Sequence, residues 1–137
     1  MEKSLAMLEE YIAEHGPFDG LLGFSQGGVL ASFLLAAQHR GQALQQHPPF
    51  RVAILIASMS NRSAPHFHDI PIPTVHVVGD TDPLEPRIVT MTEKWRNPVV
   101  IRHEGGHKVP NLNAEQLATL RSVLVAAQAT AHDVASL

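Results

Sequence analysis

The sequence predicts an α/β fold of three layers, in which a parallel sheet of about four strands lies between flanking helices. Strand-like and helix-like apolar patterns alternate along the chain, as they do in βαβ units. The run "RVAILIAS", residues 51–58, is almost entirely apolar after its first residue, which is typical of a strand buried on both faces of a parallel sheet. Polar residues follow several of the strand-like runs, and the carboxyl ends of parallel strands are where sites form.

The first part of the chain predicts a helix, a strand and a second helix. Residues 4–15 repeat leucine and isoleucine at helical spacing, and Gly16-Pro17 ends the pattern. A short apolar strand is predicted at Leu21–Phe24. A largely apolar helix is predicted at Gln26–His39, and it stops near Gly41.

The second part of the chain predicts three strands and two helices. Prolines come before two of the strands: "HPPF" precedes "RVAILIAS", and "IPIP" precedes a strand at Thr74–Val78. Apolar residues at helical spacing from Ile88 to Trp95 mark a short helix. A further strand within "NPVVIRHEGGH" runs into a glycine loop. Asn113 and Gln116 have the spacing of a capping box that opens the last helix.

Composition and charge narrow the function classes. The 137 residues are 45% hydrophobic and 17% charged, with a net charge of −3 and no cysteine. We expect one domain, residues 1–137, because this length holds one ordinary core but not two. The absence of cysteine excludes disulfides, thiolate metal sites and a cysteine nucleophile. Since no cluster of lysines and arginines is present, we expect no nucleic-acid partner.

The chain carries no pattern of a membrane or targeting segment. No apolar run approaches the length of a membrane span. The first residues, "MEKSLAMLEEYIAEHG", place acids inside an apolar pattern, unlike a secretory signal peptide. We therefore expect a cytoplasmic protein without a membrane span.

The stretch "GFSQG", residues 23–27, has the pattern G-x-S-x-G at a junction between strand and helix. In this pattern the serine occupies a sharp, strained turn that projects its hydroxyl into open space. We expect side chains at the elbow positions Gly23 and Gly27 to collide with the neighbouring strand or helix. The backbone N–H of Gln26 is expected to point at an oxyanion that develops beside Ser25. This context predicts a nucleophile at Ser25 rather than an ordinary turn residue.

A serine nucleophile needs a histidine base that is itself oriented by a carboxylate. The chain has nine histidines, so position has to separate them. His107 follows the last predicted strand on a glycine loop, and Asp80 and Asp82 follow the strand before it. Either carboxylate is expected to reach a histidine on the adjacent strand end, and turn capping is the alternative role for both. The order serine, aspartate, histidine is the one found in α/β-hydrolases.

Three segments, "FDGLLGFSQGG", "VVGDTDPLEP" and "HEGGHKVP", together resemble the FSH family of serine hydrolases, within the α/β-hydrolase superfamily. Acyl-protein thioesterases and small carboxylesterases are similar in the first two segments. The resemblance covers nearly the whole chain from about Phe18. It implies a serine hydrolase that cleaves carboxylic esters or thioesters through an acyl-enzyme, with Ser25 as nucleophile, His107 as general base and Asp82 as orienting acid. The family pattern puts the acid three residues after the strand-end glycine, which selects Asp82 over Asp80.

The chain departs from the family pattern ahead of its serine strand. In the superfamily, several strands precede that strand, and an upstream loop that usually opens with His-Gly lends a second oxyanion-hole N–H. Here one helix precedes it, so the expected fold is a truncated α/β-hydrolase fold that lacks the N-terminal strands. Leu21–Phe24 then becomes an edge strand that needs cover. We expect a homodimer or another partner to cover it, and a monomer shielded by the first helix is the alternative.

Two other functions stay open. One is a catalytically impaired pseudo-hydrolase or binding module that has lost half of the oxyanion hole. The other is a non-hydrolytic domain that holds a small anion at the helix amino end near Gln26. For the leading function, the expected substrate is a small-molecule acyl ester or thioester.

The loop "APHFHD" places His66, His68 and Asp69 at a spacing that metal ligands also show. Two imidazoles and one carboxylate do not define a closed site, and no second cluster supplies a fourth ligand. We therefore predict neither a metal nor a cofactor. The family resemblance implies that this loop lies near the acyl pocket, so we expect it to contact the substrate.

Overall fold

The computed structural model describes residues 1–135, and its account of side chains covers residues 1–129. Helices and strands follow one another along the described chain in the order that the sequence predicts, with a loop and no helix between the second and third strands. Their bounds in chain order are α1 Glu2–His15, β1 Gly20–Phe24, α2 Gln26–His39, β2 Val52–Ile56, β3 Thr74–Gly79, α3 Glu85–Glu93, β4 Val99–His103 and α4 Ala114–Ala135. The predicted α/β class is confirmed.

The four strands form one parallel sheet in the order β1-β2-β3-β4. Phe24 at the end of β1 pairs with Ile56 at the end of β2, so these two strands end level. Gly79 at the end of β3 pairs with His103 at the end of β4. The segments that follow the strands therefore leave the sheet at one common edge, where parallel sheets place their sites.

Two apolar cores cover the two faces of the sheet, which makes the fold three-layered. Successive residues of β2 point to opposite faces, so Leu55 packs into the core beneath α1 and α2, and Ile56 packs into the core beneath α4. On the first face, Leu34 and Leu35 of α2 are fully buried. Burying a side chain of this size contributes about 1.5–3 kcal/mol, and these contacts hold the start of α2 against the sheet.

The end of one helix differs from the sequence prediction, and the start of another confirms it. The short helix predicted to reach Trp95 ends at Glu93, and Trp95 follows it as a buried ring stacked on Phe67. The predicted capping box of α4 is present: the N–H of Asn113 donates to Gln116 Oε1, and the N–H of Gln116 donates to Asn113 Oδ1, both at 2.8 Å.

Strand β1 lies at one edge of the sheet, as the sequence predicts. Leu22 and Phe24 of this strand are 65% and 38% exposed, although their side chains are apolar. Within the described part of the chain, β1 pairs with β2 alone. No helix among the described residues is long and apolar enough to cross a membrane.

Candidate active site

Ser25 occupies a strained turn between β1 and α2. Its backbone has φ 53° and ψ −120°, a conformation that costs free energy in a residue with a side chain. The N–H of Ser25 donates to the carbonyl of Ile56 at 2.8 Å, which ties the turn to the end of β2. The hydroxyl therefore projects from a fixed point at the carboxyl edge of the sheet.

The glycine positions around this turn behave differently from one another. A Cβ on Gly23 would lie 2.5 Å from the carbonyl oxygen of Gly27 and from backbone atoms of Gly28, so the strand and helix meet there without space for a side chain. The predicted collision at Gly27 is wrong, because a Cβ there meets nothing within 4 Å. The second crowded position is Gly28, where a Cβ would lie 2.6 Å from the buried hydroxyl of Ser58.

The side chains of Ser25, His107 and Asp82 form a continuous chain of hydrogen bonds. His107 Nε2 lies 2.9 Å from Ser25 Oγ, and His107 Nδ1 lies 2.7 Å from Asp82 Oδ2. Because an ionised carboxylate only accepts, Nδ1–H donates to Asp82, which leaves Nε2 to accept the hydroxyl proton of Ser25. The three residues follow β1, β4 and β3, so the common edge of the sheet brings them together.

The carboxylate of Asp82 is held on its far side as well. Asp82 is 5% exposed, and its Oδ1 accepts a hydrogen bond from the N–H of Leu84 at 2.8 Å. The ring of Phe24 packs beside the ring of His107, with centroids 5.2 Å apart. These contacts restrict both the carboxylate and the imidazole to one orientation.

Asp80, the other carboxylate of this loop, faces elsewhere. Its Oδ1 accepts a hydrogen bond from Arg102 Nε at 2.7 Å, and Arg102 also donates to Glu85 Oε1 at 2.7 Å. These two carboxylates raise the pKa of the Arg102 guanidinium above its ordinary value, mainly through the hydrogen bonds. The residues alone did not show whether Asp80 or Asp82 would contact His107. In the structure Asp82 is hydrogen-bonded to His107, and Asp80 is hydrogen-bonded to Arg102.

Sequence reasoning missed two residues that bring the loops together. A Cβ on Gly79 would lie 2.5 Å from the carbonyl oxygen of Gly105, so only glycine permits the loop that carries His107 to approach β3 this closely. His103 is buried under this loop, and its Nδ1 accepts from the N–H of Gly105 at 3.1 Å. Burial, followed by the charge of Lys108, lowers the pKa of His103. A glycine at a strand end is the signal by which Gly79 could have been found.

A cavity of about 500 Å³ begins beside the turn that carries Ser25. Gln26 lines its mouth, and the backbone N–H of Gln26 is one of the first-turn donors that an α-helix leaves without an intrahelical partner. The apolar walls come from α2, α3 and the segment between β2 and β3: Val29, Leu30, Phe33, Met59, Phe67 and Met91. A second cavity of about 550 Å³ lies between α1 and residues 42–48. The side chains of Ser25, His107 and Asp82 line neither cavity, and the cavity beside Gln26 reaches them only through the neighbouring Gln26.

The rings of His66 and His68 in the "APHFHD" loop lie 5.0 Å apart, but the three polar side chains of the loop do not converge on one point. The ring of His68 bonds the backbone carbonyl of Glu93 at 3.0 Å, and Asp69 lies within 4 Å of His39 and Arg40. Within the described residues, no group of three or more histidine, aspartate or glutamate side chains is arranged to hold a metal ion. Phe67 of this loop does line the cavity beside Gln26.

Comparison with known proteins agrees with the fold and identifies a family. The family described as "Serine hydrolase (FSH1)" matches residues 1–119. The chain therefore belongs to the FSH1 serine hydrolase family, as its three segments predict.

Two curated relatives show how much of a longer protein this chain resembles. The chain is 37% identical over 116 residues to "Esterase OVCA2" of Xenopus tropicalis, covering 80% of this chain and 49% of that protein. It is 34% identical over 118 residues to "Dihydrofolate reductase" of Schizosaccharomyces pombe, covering 80% of this chain and 26% of that protein. The chain thus spans half or less of the length of these relatives.

Solved structures share the fold. The esterase domain of a Rhodothermus marinus protein superposes with a TM-score of 0.59 at 12% identity, covering 91% of this chain and 67% of that chain. At this identity the likeness concerns the fold alone, and it is the fold of an esterase domain with a parallel sheet and flanking helices.

Proposed function

We propose that this chain carries the catalytic centre of a serine hydrolase that cleaves carboxylic esters or thioesters. The observation that supports the proposal most directly is the unbroken hydrogen-bond chain from Ser25 through His107 to the buried Asp82. Membership of the FSH1 serine hydrolase family supports the same assignment. A hydroxyl within reach of a neutral imidazole that a carboxylate orients is the arrangement that nucleophilic acyl transfer requires.

The chemistry proceeds in two halves. Ser25 Oγ attacks the acyl carbon while His107 Nε2 takes the hydroxyl proton, and Asp82 stabilises the resulting imidazolium. The proton then passes to the departing alcohol or thiol, which leaves the acyl group bonded to Ser25. In the second half, water attacks the acyl carbon, His107 takes its proton and returns it to Ser25, and the free acid departs.

The oxyanion that forms in each half needs hydrogen-bond donors. The backbone N–H of Gln26 at the amino end of α2 is the donor that this chain offers beside Ser25. Loss of one oxyanion donor typically lowers turnover about 10²–10³-fold. We propose that the second oxyanion donor is supplied by another polypeptide or by a segment that the structure does not describe. A binding module that retains the hydrogen-bond chain is the second candidate function, because it needs no second donor.

We also propose that a second copy of the chain covers the free edge of β1. This edge carries two exposed apolar side chains, Leu22 and Phe24, and lies next to the proposed nucleophile. Pairing of two β1 strands satisfies the backbone groups that an edge strand leaves open.

Labelling with a fluorophosphonate probe tests the proposed hydrolase. The probe forms a covalent bond with an activated serine, so we expect stoichiometric labelling of the folded chain. Ser25→Ala and His107→Ala should both abolish labelling. Ser122→Ala and His15→Ala, which change an exposed serine and an exposed histidine away from the site, should leave it unchanged. A folded wild-type chain that stays unlabelled would reject the hydrolase and favour the binding module.

A further inference from the structure

The cavity beside Gln26 carries one charged side chain, that of Arg87, on walls that are otherwise apolar or neutral. No carboxylate from the described part of the chain lines this cavity. Arg87 is exposed and, like three of the other arginines, has no carboxylate within 4 Å among the side chains that the structure describes. An arginine in this position leaves its guanidinium donors available to a bound molecule.

The position of Arg87 is also unfavourable for the stability of its own helix. Arg87 lies in the first turn of α3, where the helix dipole favours negative charge and disfavours a cation. A bound anion beside the guanidinium offsets that repulsion. Glu85 in the same turn already supplies negative charge and Arg87 is exposed, so a bound anion adds only a small stabilisation here.

A second donor faces the same cavity from the neighbouring segment. The N–H of Ser60 donates to the backbone carbonyl of Arg87 at 2.9 Å, which joins the start of α3 to the segment that carries Asn61. Asn61 also lines the cavity, and its Oδ1 accepts from the hydroxyl of Ser63 at 2.9 Å. The side-chain amide of Asn61 thus presents its NH₂ group, so Arg87 and Asn61 both offer donors.

We infer that this cavity binds acyl groups that end in a carboxylate, so that the preferred substrates are monoesters or monothioesters of dicarboxylic acids. The apolar walls take the methylene chain, the reacting carbonyl lies at the Gln26 end, and the guanidinium of Arg87 with the amide of Asn61 binds the distal carboxylate. Guanidinium and amide N–H groups suit a carboxylate, which only accepts hydrogen bonds. This inference rests on the proposed hydrolase function.

Two esters of equal carbon number test the inference. Mono-p-nitrophenyl adipate ends in a carboxylate, and p-nitrophenyl hexanoate ends in a methyl group. We expect wild type to hydrolyse the adipate ester with the higher kcat/KM. Charge-assisted hydrogen bonds contribute about 1.5–3 kcal/mol, so Arg87→Met should lower the ratio of adipate to hexanoate kcat/KM about ten- to a hundredfold. Arg87→Lys should restore part of the ratio, and Arg121→Met, a surface change on α4, should not alter it.

A binding measurement separates failure of the inference from failure of the hydrolase. Adipate and hexanoate are titrated calorimetrically into Ser25→Ala and into the Ser25→Ala, Arg87→Met double variant. If adipate binds more tightly than hexanoate and Arg87→Met removes the difference, the inference is supported, whether or not the esters are hydrolysed. If neither ester is hydrolysed by wild type, only the proposed hydrolase function is rejected. Equal binding of the two acids, or hydrolysis of both esters with a ratio that Arg87→Met leaves unchanged, overturns the inference.

Discussion

Single residues in the turn around Ser25 have distinct physical tasks. Ser25 itself holds a left-handed conformation that a non-glycine residue adopts only under constraint. Its N–H is bonded to Ile56 at the end of the neighbouring strand, and the start of α2 packs directly on Gly23. The strain at Ser25 is therefore maintained by backbone contacts on both sides of it.

Two glycine variants test whether both glycines of the G-x-S-x-G motif are needed for steric reasons. Gly23→Ala forces a Cβ to within 2.5 Å of three backbone atoms, so we expect the free energy of unfolding to fall by about 1–3 kcal/mol. Gly27→Ala adds a methyl group in open space within α2, so we expect no loss and a gain of up to about 1 kcal/mol from helix propensity. Denaturant unfolding of both variants measures the difference, and equal destabilisation would contradict it.

The two aspartates of the loop after β3 provide another matched pair. Asp82→Asn removes the carboxylate that is hydrogen-bonded to His107 Nδ1, and for the proposed hydrolase we expect turnover to fall about 10⁴-fold. Asp80→Asn breaks an exposed pair with Arg102, which contributes about 0–1 kcal/mol to stability. Labelling rate and ester hydrolysis measured on both variants check this assignment. A comparable loss of activity in Asp80→Asn would contradict the assignment of Asp82 as the residue that orients His107.

At the scale of elements, β3 combines a buried strand with a buried histidine. All of its residues are buried, and His76 bonds Thr74 Oγ1 at 3.0 Å beside the ring of Trp95. Burial lowers the pKa of His76 to about 4, because the charged imidazolium would lose its hydration inside the core. The strand therefore requires a neutral histidine at this position.

This requirement predicts a loss of stability in acid. Below an ordinary histidine pKa of 6.5 the unfolded chain binds a proton at His76, and the folded chain does not until the pH approaches 4. The buried neutral His76 therefore costs the folded state nothing above pH 6.5. As the pH falls from 6.5 to about 4, the free energy of unfolding decreases by about 3 kcal/mol on account of this residue. Unfolding measured at both ends of this range should show a smaller drop for His76→Gln than for wild type. An unchanged drop would show that other groups cause the acid sensitivity.

The segment between β2 and β3 is held by an unusual clamp at the end of α3. Lys94 is almost fully buried, and its Nζ donates to the carbonyls of Arg62 and Ala64 at 3.2 and 2.6 Å. The N–H of Phe67 donates to the backbone carbonyl of Lys94 at 2.8 Å. Because Ala64 and Phe67 line the cavity beside Gln26, this clamp fixes one of its walls.

For the whole molecule, the free edge of β1 decides the expected state of association. We expect wild type to form a dimer at micromolar concentrations, measured by size-exclusion chromatography with light scattering. Leu22→Lys places a charge on the exposed strand, a device that opposes pairing between edges, so it should shift the chain toward monomer. Arg121→Met, on the surface of α4, is the control. A monomeric wild type over this concentration range would end the proposal of self-association.

Much of the architecture follows from patterns that are local in the sequence. The strand at "RVAILIAS" and the helix at Gln26–His39 were both predictable, because burial imposes a run of apolar residues on one and a dense apolar helix on the other. The end of α3 was not predictable, since Trp95 continues the helical spacing but stacks on Phe67 from outside the helix. Apolar spacing alone does not distinguish these two outcomes.

What the sequence determined by itself is the order of the elements, the turn at Ser25 and the family, because each is carried by neighbouring residues. The tertiary structure alone decided which carboxylate faces His107, why Gly28 and Gly79 are crowded while Gly27 is not, and which residues line the cavity beside Gln26. These outcomes depend on atoms far apart in the chain that the parallel pairing of four strands brings to one edge of the sheet. No local pattern encodes the distances between them.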